Sequence, residues 1–368
     1  GNRGFPLLQS VVGEYDHEAY EPNYIQTTQI TTTSKPLQSV VVQPGEIMAI
    51  DSADTVEVDD AICVSFDADG SPWLHVHIAD PADLFTIGSQ MDLHARSRVS
   101  TVYLPEITYP MLPTKISAQC SLDAVGINKS ISFSIKLSSN GDILNYHVSE
   151  ANVLNVKRLT YEEANVILDD PQHPNYNCLR TVFKMAERHR EFRERKGMLN
   201  IHLPAAKINI HSPENISVTV ESTERSHSHL LVSESMVMAG RVAAMLAIDA
   251  RRPMPFRRHD YPIAFANLPN TSKFTLQDKL RLLEDMKPAE LESAPKQHAG
   301  MGLDCYVKAT SPLRRYGDLL AHYQLKHIIS RTTPPIKIKQ LWPILPRLRK
   351  NELYLKRLQQ STTRFWVL

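Results

Sequence analysis

Five carboxylates lie close together near residue 50, with no lysine or arginine among them. Apolar runs precede and follow the group, which predicts two buried strands with the acids on the loop between them. Hard oxygen ligands without a nearby His or Cys indicate a Mg²⁺ or Mn²⁺ site and not a zinc site. A solvated acidic turn is the alternative, and this stretch alone does not decide between the two. The five acids are Asp51, Asp54, Glu57, Asp59 and Asp60.

A second group, near the C-terminal end, could bind an anion. Thr310 or Ser311 is typical of a helix N-cap, and Pro312 is typical of the first turn that follows it. This pattern predicts a helix whose first turn contains Arg314 and Arg315, where the helix dipole disfavours cations. A bound phosphate would explain that placement. The alternative is an exposed arginine pair held in surface ion pairs.

Residues 96–113 combine two tyrosines and two arginines with three prolines. The prolines exclude a regular helix, so this segment is predicted to be an irregular loop. Such a loop could stack bases and hold phosphates, whereas the alternative is that Tyr103 packs in the core. Upstream, Asp80 ends an apolar strand, where a cap on the following segment is expected.

The elements that must position these groups are mainly strands in the first half and helices in the second. Residues 73–78 and 131–137 alternate at period two, and residues 138–142 predict a hairpin turn. Thr160 and Glu163 predict a helix start with a capping box. Helical patterns follow at residues 178–195, 229–249, 276–285 and 316–330. This order predicts an α+β fold.

Composition limits what the chain can be. Its 368 residues are 42% hydrophobic and 22% charged, which is typical of a globular protein with a sizeable core. The formal net charge is +1, so any surface that attracts nucleic acid must be local. Four widely spaced cysteines predict buried thiols in a reducing compartment. No apolar run approaches the roughly 18 residues of a membrane span, so no membrane partner is expected.

Taken in order, several motifs together resemble the catalytic (RNB) domain of the ribonuclease II / ribonuclease R family. The resemblance covers roughly residues 45–368, and the joint pattern is specific although each motif alone is not. It implies an α+β fold of RNB type, with a mixed sheet surrounded by helices and a channel for RNA. The motifs are the acid group, HIAD at 77–80, YLP at 103–105, PMLP at 110–113, RLTYEE at 158–163 and TSPLRRY at 310–316.

The domain organisation expected from this resemblance is an N-terminal extension at 1–46 and the RNB catalytic domain at 47–368. A C-terminal S1 domain is expected beyond residue 368. The implied activity is Mg²⁺-dependent hydrolysis of single-stranded RNA from its 3′ end, which releases nucleoside 5′-monophosphates. Mn²⁺ is the alternative metal.

The resemblance also implies roles for individual residues. Asp59 and Arg314 are expected to be catalytic, with Arg314 on the scissile phosphate. Metal binding is expected from Asp51, Glu57 and Asp60. The family usually has Asp at the position of Glu57, which puts the metal role of Glu57 in question. Glu at this position is similar to the organellar and cyanobacterial branch, which includes the mitochondrial degradosome exoribonuclease.

RNA contacts are expected elsewhere. Tyr103 matches an aromatic that clamps the terminal bases, and Ile201 stands where the second clamp aromatic is expected. Glu234 is predicted either to contact ribose hydroxyls or to lie on the polar face of its helix. Arg258 and Arg315 are predicted to bind RNA, with Arg258 near phosphates.

The expected partners are single-stranded RNA and an RNA helicase or other subunits of an RNA-degrading complex. A mitochondrial or other organellar location is expected, with the cytoplasm as the alternative. The rival function is a catalytically silent RNB subunit that binds RNA or helps assemble a larger complex. The presence of all four family acids favours the enzyme.

Overall fold

The structure is a computed structural model that describes residues 47–199, 201, 205–212, 215–221, 226–260 and 274–367. The extension predicted for residues 1–46 lies outside these ranges.

A mixed sheet of six strands forms the centre of the described protein. Neighbouring strands are antiparallel, except that β1 and β8 are parallel. Across the sheet the order is β7-β6-β3-β2-β1-β8. The strands are β1 (Met48–Asp51), β2 (Asp60–Phe66), β3 (Pro72–Ala79), β6 (Asn128–Leu137), β7 (Ile143–Val153) and β8 (Lys157–Thr160).

Three two-stranded ribbons lie outside this sheet. One of them, β4–β5, interrupts the segment that was predicted to be an irregular loop, and a helix covers the start of that segment. The ribbons are β4 (Val102–Tyr103) with β5 (Thr108–Tyr109), β9 (Ala205–Ser212) with β10 (Asn215–Glu221), and β11 (Phe256–Arg258) with β12 (Glu290–Glu292).

Eight α-helices lie within the described ranges, most of them in the second half of the chain as predicted. They are α1 (Gln90–Arg98), α2 (Thr114–Cys120), α3 (Tyr161–Asp169), α4 (Tyr176–Arg195), α5 (His227–Asp249), α6 (Leu276–Asp285), α7 (Tyr316–Ile329) and α8 (Ile338–Val367). The α+β fold with a mixed sheet and helices is therefore confirmed, whereas the RNA channel stays a prediction.

Local sequence explains several element ends. Thr160 caps α3, and its side chain and that of Glu163 bond reciprocally to each other's backbone N–H, which confirms the predicted capping box. The predicted turn at residues 138–142 joins β6 to β7. Asp80 does not act as a side-chain cap, so that expectation was wrong.

Helix α5 packs in the core against α4 and the sheet. It is long and apolar enough by composition to cross a membrane, but 67% of its most apolar window is buried inside the protein. That burial is typical of a core helix of a globular protein. All four cysteines are free thiols, and Cys63 and Cys305 are fully buried.

Candidate active site

The acid group lies on the loop that joins β1 to β2, as its flanking apolar runs predict. Asp51 is the last residue of β1 and Asp60 is the first residue of β2. The loop is held from both sides, because the Asp59 carbonyl accepts a hydrogen bond from the Ala79 N–H (2.8 Å). On the other side, the Val58 N–H donates to Oγ of Ser121, just beyond α2 (2.9 Å).

Asp59 makes the contact that joins the two distant motifs. Its side chain is 4% exposed. Oδ1 accepts from the Leu313 N–H and Oδ2 accepts from Nε of Arg314, each at 3.0 Å. The two residues of this ion pair are 255 positions apart in the sequence. The structure thus brings both residues predicted to be catalytic into direct contact.

Arg314 and Arg315 do not lie inside the first helical turn, so that prediction was wrong. Helix α7 begins at Tyr316 with Arg315 as its N-cap residue, and Arg314 lies on the preceding turn. Backbone pairing with the segment before β4 holds this turn: the Thr101 N–H donates to the Arg314 carbonyl (2.9 Å). The arginines therefore avoid the unfavourable positions inside the helix.

Adjacent arginines here have different partners. Arg315 donates through Nε and Nη2 to the buried carboxylate of Asp318 (3.0 and 2.6 Å). Asp318 also accepts the Ser311 N–H (3.0 Å), so the pair closes the turn onto the start of α7. The ion pair of Arg315 with Asp318 therefore fixes the turn that carries Arg314. The predicted contact of Arg315 with RNA stays a prediction.

Burial shifts the acids toward their protonated forms. Burial raises the pKa of Asp59 to about 6, although Arg314 and the Leu313 N–H oppose the shift. Burial also raises the pKa of Asp60 to about 8, and the neighbouring charges of Asp51 and Asp59 raise it further. Burial is the largest cause of both shifts, and Arg314 and Arg315 oppose it.

The other two acids behave in the same direction. Burial raises the pKa of Asp51, while Arg158 and Arg314 partly lower it. Burial raises the pKa of Glu57, and a hydrogen bond with the Ser117 side chain opposes that rise. Among the described residues, no Lys or Arg forms an ion pair with Asp51, Glu57 or Asp60. A divalent cation bound at this loop could therefore offset the negative charge of these three acids.

The donor set fits a hard metal, since every candidate ligand on the loop is a carboxylate. The spacing is wider than in an assembled metal cage, because no three of these carboxylates have ligand oxygens within 4.8 Å of one another in the described chain. The roles of Asp51, Glu57 and Asp60 in metal binding therefore stay predictions.

One other acidic group meets that spacing, but a lysine already fills it. Asp80, Asp83 and Glu150 place their carboxylate oxygens within 4.8 Å of one another. Nζ of Lys326 donates to all three, at 2.5, 3.1 and 3.0 Å. This partly buried ammonium occupies the place that a metal would take, and Nδ1 of His322 lies 3.4 Å from the other oxygen of Asp80. We interpret this group as structural.

Tyr103 lies beside the acid loop on the β4–β5 ribbon. It is 50% exposed, so it does not pack in the core. Burial raises the pKa of Tyr103, the charge of Arg314 opposes this rise, and the charges of Glu57 and Asp59 add to it. Ile201 donates its N–H to the Leu199 carbonyl (3.1 Å), and its predicted place opposite Tyr103 stays a prediction.

Two residues predicted to bind RNA have protein partners. Glu234 is 1% exposed and accepts from Arg193 and from Nδ1 of His189 (3.0 Å). The guanidinium of Arg258 is bound by Asp260 and Glu292 (2.6 and 2.8 Å). These contacts are an interior ion pair between α4 and α5 and a surface ion pair beside β12. The RNA contacts of both residues stay predictions.

Sequence reasoning missed several residues that position the site. Arg158 donates to the Thr55 carbonyl on the acid loop. Below the arginine turn, the hydroxyl of the fully buried Tyr316 donates to Oδ1 of Asp92 (3.0 Å) and accepts from Nε of Arg96 (2.8 Å). Arg158 and Tyr316 belong to motifs found in the sequence, but their partners come from distant segments and could not be predicted.

Comparison with known proteins identifies the family of this chain. Residues 42–331 match the family model of the RNB domain. Ribonuclease II, chloroplastic/mitochondrial, of Arabidopsis thaliana is 30% identical over 336 residues, covering 88% of this chain and 41% of that protein. An active-site mutant of the Dss1 exoribonuclease from Candida glabrata has a TM-score of 0.76 at 24% identity, covering 87% of this chain and 45% of that one. Yeast Ssd1, a pseudonuclease, has a TM-score of 0.70 at 19% identity, with coverage of 86% and 43%.

The fold and the family model define an RNB domain. This chain belongs to the RNB domain family, and the resemblance to ribonucleases II and R, including organellar members, is confirmed. The chain spans about half the length, or less, of the first curated relatives that it matches. The solved structures are below 25% identical and therefore support the fold alone.

Proposed function

We propose that this chain is the catalytic part of a Mg²⁺-dependent hydrolytic exoribonuclease. It degrades single-stranded RNA from the 3′ end and releases nucleoside 5′-monophosphates. The observation that carries the proposal is the contact of Asp59 with Arg314, which places a guanidinium on the loop whose other acids, Asp51, Glu57 and Asp60, form no ion pair with a described residue. The family membership and the ribonuclease relatives support the same activity.

Arg314 is well placed to meet a phosphate. Nε is bound by Asp59 and Nη2 donates to Oγ of Ser311 (3.0 Å), so the orientation of the guanidinium is fixed. The side chain is nevertheless 39% exposed, and Nη1 makes no hydrogen bond to a described residue. A fixed guanidinium with a free edge can offset charge that develops on a phosphoryl group during hydrolysis, without reorganising first.

Asp51, Glu57 and Asp60 would hold the metal, because these acids lack an ion-pair partner among the described residues. Mg²⁺ bound there would activate water and offset phosphate charge. Glu57 is one methylene longer than aspartate, and it also contacts Ser117. We therefore assign Glu57 the least certain metal contact of the three.

The proposal is tested with a 5′-labelled RNA that has a single-stranded 3′ tail. A ladder that shortens step by step from the 3′ end is expected. Discrete internal fragments would instead indicate an endonuclease. RNA that is bound but stays intact would support the silent-subunit alternative, as in the pseudonuclease neighbour of similar fold.

Tyr103→Ala is expected to change the length of the final undegraded oligonucleotide without abolishing cleavage. A channel that grips the 3′ bases by stacking releases the RNA once too few nucleotides remain, and each stacked base contributes ~1–3 kcal/mol. Products are resolved on a sequencing gel.

The same ribbon supplies the control. Tyr109 pairs with Val102, one register position from Tyr103, so alternation directs its side chain to the opposite face. Tyr109→Ala should leave product length unchanged. Identical end products from the wild type and Tyr103→Ala would remove Tyr103 from the site.

Asp60 is expected to make the stability of the metal-free protein depend on pH. Its pKa of about 8 lies above the ordinary value of 3.8, so folding retains a proton that the unfolded chain releases. Stability from this group is therefore full below about pH 4 and declines as the pH rises toward 8. Thermal unfolding of the wild type and Asp60→Asn in EDTA, from pH 5 to about pH 8, measures the difference.

Asp60→Asn should show a weaker decline with pH than the wild type. Adding Mg²⁺ at the alkaline end should raise the melting temperature of the wild type more than that of the variant, because only the wild type supplies the carboxylate. Parallel pH curves with equal Mg²⁺ effects would contradict the metal assignment without reference to activity.

We also propose an organellar location, supported by the chloroplast and mitochondrial relative. An RNA helicase or other subunits of an RNA-degrading complex are the proposed protein partners. Affinity purification of the tagged protein from isolated mitochondria tests both proposals. Recovery only from the cytosol would contradict the location.

A further inference from the structure

Helix α8 concentrates the positive charge of the chain. It has seven lysines or arginines and one carboxylate, Glu352, although the whole chain has a formal net charge of +1. The rest of the chain therefore has a net negative formal charge. Both oxygens of Glu352 accept from Nη2 of Arg257 (2.8 and 2.9 Å), so its charge is used inside the protein. The helix lies beyond residues 42–331, which match the family model.

One side of α8 is buried through leucines, and the opposite side faces solvent. Trp342, Lys350, Tyr354 and Arg357 recur at helical spacing and form one exposed stripe, with Trp342 73% exposed. Lys350 and Arg357 form no ion pair with a described residue. Ordinary solvated surfaces mix both signs of charge and have few exposed aromatic rings. This stripe has the cations and aromatics of surfaces that bind single-stranded nucleic acid.

A cavity of about 490 Å³ lies beside the stripe, where α8 faces β12. Leu291, Leu353 and the ring of Tyr354 form its apolar wall, and Lys350 and Arg357 also line it. A nucleobase can enter such a cavity and stack on the tyrosine, while the two cations meet neighbouring phosphates.

The C-terminal part of α8 contacts the β4–β5 ribbon that carries Tyr103. Nε2 of Gln359 donates to the carbonyl of Tyr103 (3.3 Å), and the indole of Trp366 donates to Glu106 on the same ribbon. From Trp342 to Gln359 the helix rises about 25 Å, at 1.5 Å per residue.

We propose that the exposed stripe of α8 binds single-stranded RNA upstream of the 3′ end that occupies the site. This inference extends the proposed function by assigning a binding surface to the part of the substrate that is not being cleaved. RNA is favoured over a protein partner because both free charges of the stripe are positive, Tyr354 lies between them and Trp342 lies on the same side of the helix.

The test measures RNA binding in EDTA, where hydrolysis is suppressed. The double variant Lys350→Glu/Arg357→Glu should bind an RNA of about 20 nucleotides at least 10-fold more weakly than the wild type, while binding of an RNA of about five nucleotides is unchanged. Loss of two phosphate contacts should reduce the salt slope by about 1.4. Tyr354→Ala should weaken binding of the long RNA by about 10-fold with little change in slope.

The matched control is the double variant Lys184→Glu/Arg188→Glu on α4. Both of these side chains are exposed in the wild type, and the two substitutions change the net charge by the same amount as those on α8. The control should bind the long RNA as the wild type does, and thermal unfolding confirms that both double variants fold. If the control variant loses as much affinity for the long RNA, the effect is explained by net charge alone and the proposal is overturned. Unchanged binding in the α8 variant would also overturn it, and would leave an acidic protein surface as the occupant. If the protein does not hydrolyse RNA but the α8 variant still loses affinity for the long RNA only, the proposed enzymatic activity is refuted and the proposed binding surface is not.

Discussion

Asp59→Asn is expected to abolish RNA hydrolysis while RNA binding largely remains. In the structure, both carboxylate oxygens of Asp59 accept hydrogen bonds, one from the Leu313 N–H and one from Arg314. An amide has one oxygen and one NH₂ group, so one of these donors must face another donor. The substitution therefore removes charge from the acid group and releases Arg314 from its fixed orientation. Turnover is measured with excess RNA, and binding is measured separately in EDTA.

Asp54→Asn is the matched control, since Asp54 lies on the same loop but is exposed. It should retain full activity. Unchanged turnover in Asp59→Asn would show that the contact with Arg314 is structural, and the site assignment would fail.

Arg314→Ala is expected to lower kcat by about 10²-fold or more, with a much smaller effect on RNA affinity. A donor that meets charge only in the transition state affects the rate and not ground-state binding. Lysine should not restore the rate, because only a guanidinium can hold Asp59 through Nε, Ser311 through Nη2 and a phosphate through its third nitrogen. Single-turnover kinetics with saturating enzyme separate the rate from affinity.

Arg315 provides the comparison. Because Arg314 and Arg315 each pair with a buried carboxylate, both alanine variants should lower the melting temperature, whereas the large loss of kcat should be confined to Arg314→Ala. Equal losses of binding and rate in the alanine and lysine variants of Arg314 would make this residue a simple phosphate anchor.

Local patterns in the sequence predicted much of the fold. Hydrophobic periodicity identified α4, α5, α6 and α7 to within a few residues, since their buried faces are set by neighbours in sequence. The capping box at Thr160 was also correct, because both of its bonds lie within four consecutive residues.

Errors occurred where distant contacts decide the structure. A local cap at Thr310 or Ser311 predicted an early helix, but residues 312–314 form a turn that pairs with Val99–Thr101, and the helix begins only at Tyr316. Asp80 looked like a cap, yet Lys326 and His322, more than 200 residues away, bind its carboxylate. Helix α8 was missed as an element because Pro343 and Pro346 lie inside it.

The candidate site shows the same division. Residue types and the family resemblance predicted Asp59 and Arg314 separately, but their contact across 255 positions comes from the fold. The raised pKa of Asp60 likewise depends on burial, which the sequence does not display. The formal net charge of +1 did not indicate the basic stripe of α8, because the rest of the chain has a net negative charge that offsets it.

The most direct test of the enzyme assignment is to incubate the purified chain with a single-stranded RNA, with Mg²⁺ or with EDTA, and to identify the released product. The account predicts nucleoside 5′-monophosphates in Mg²⁺, none in EDTA, and none from Asp59→Asn in either condition. Intact RNA in Mg²⁺, with binding still measurable, would contradict the account and identify a silent RNA-binding member of the family.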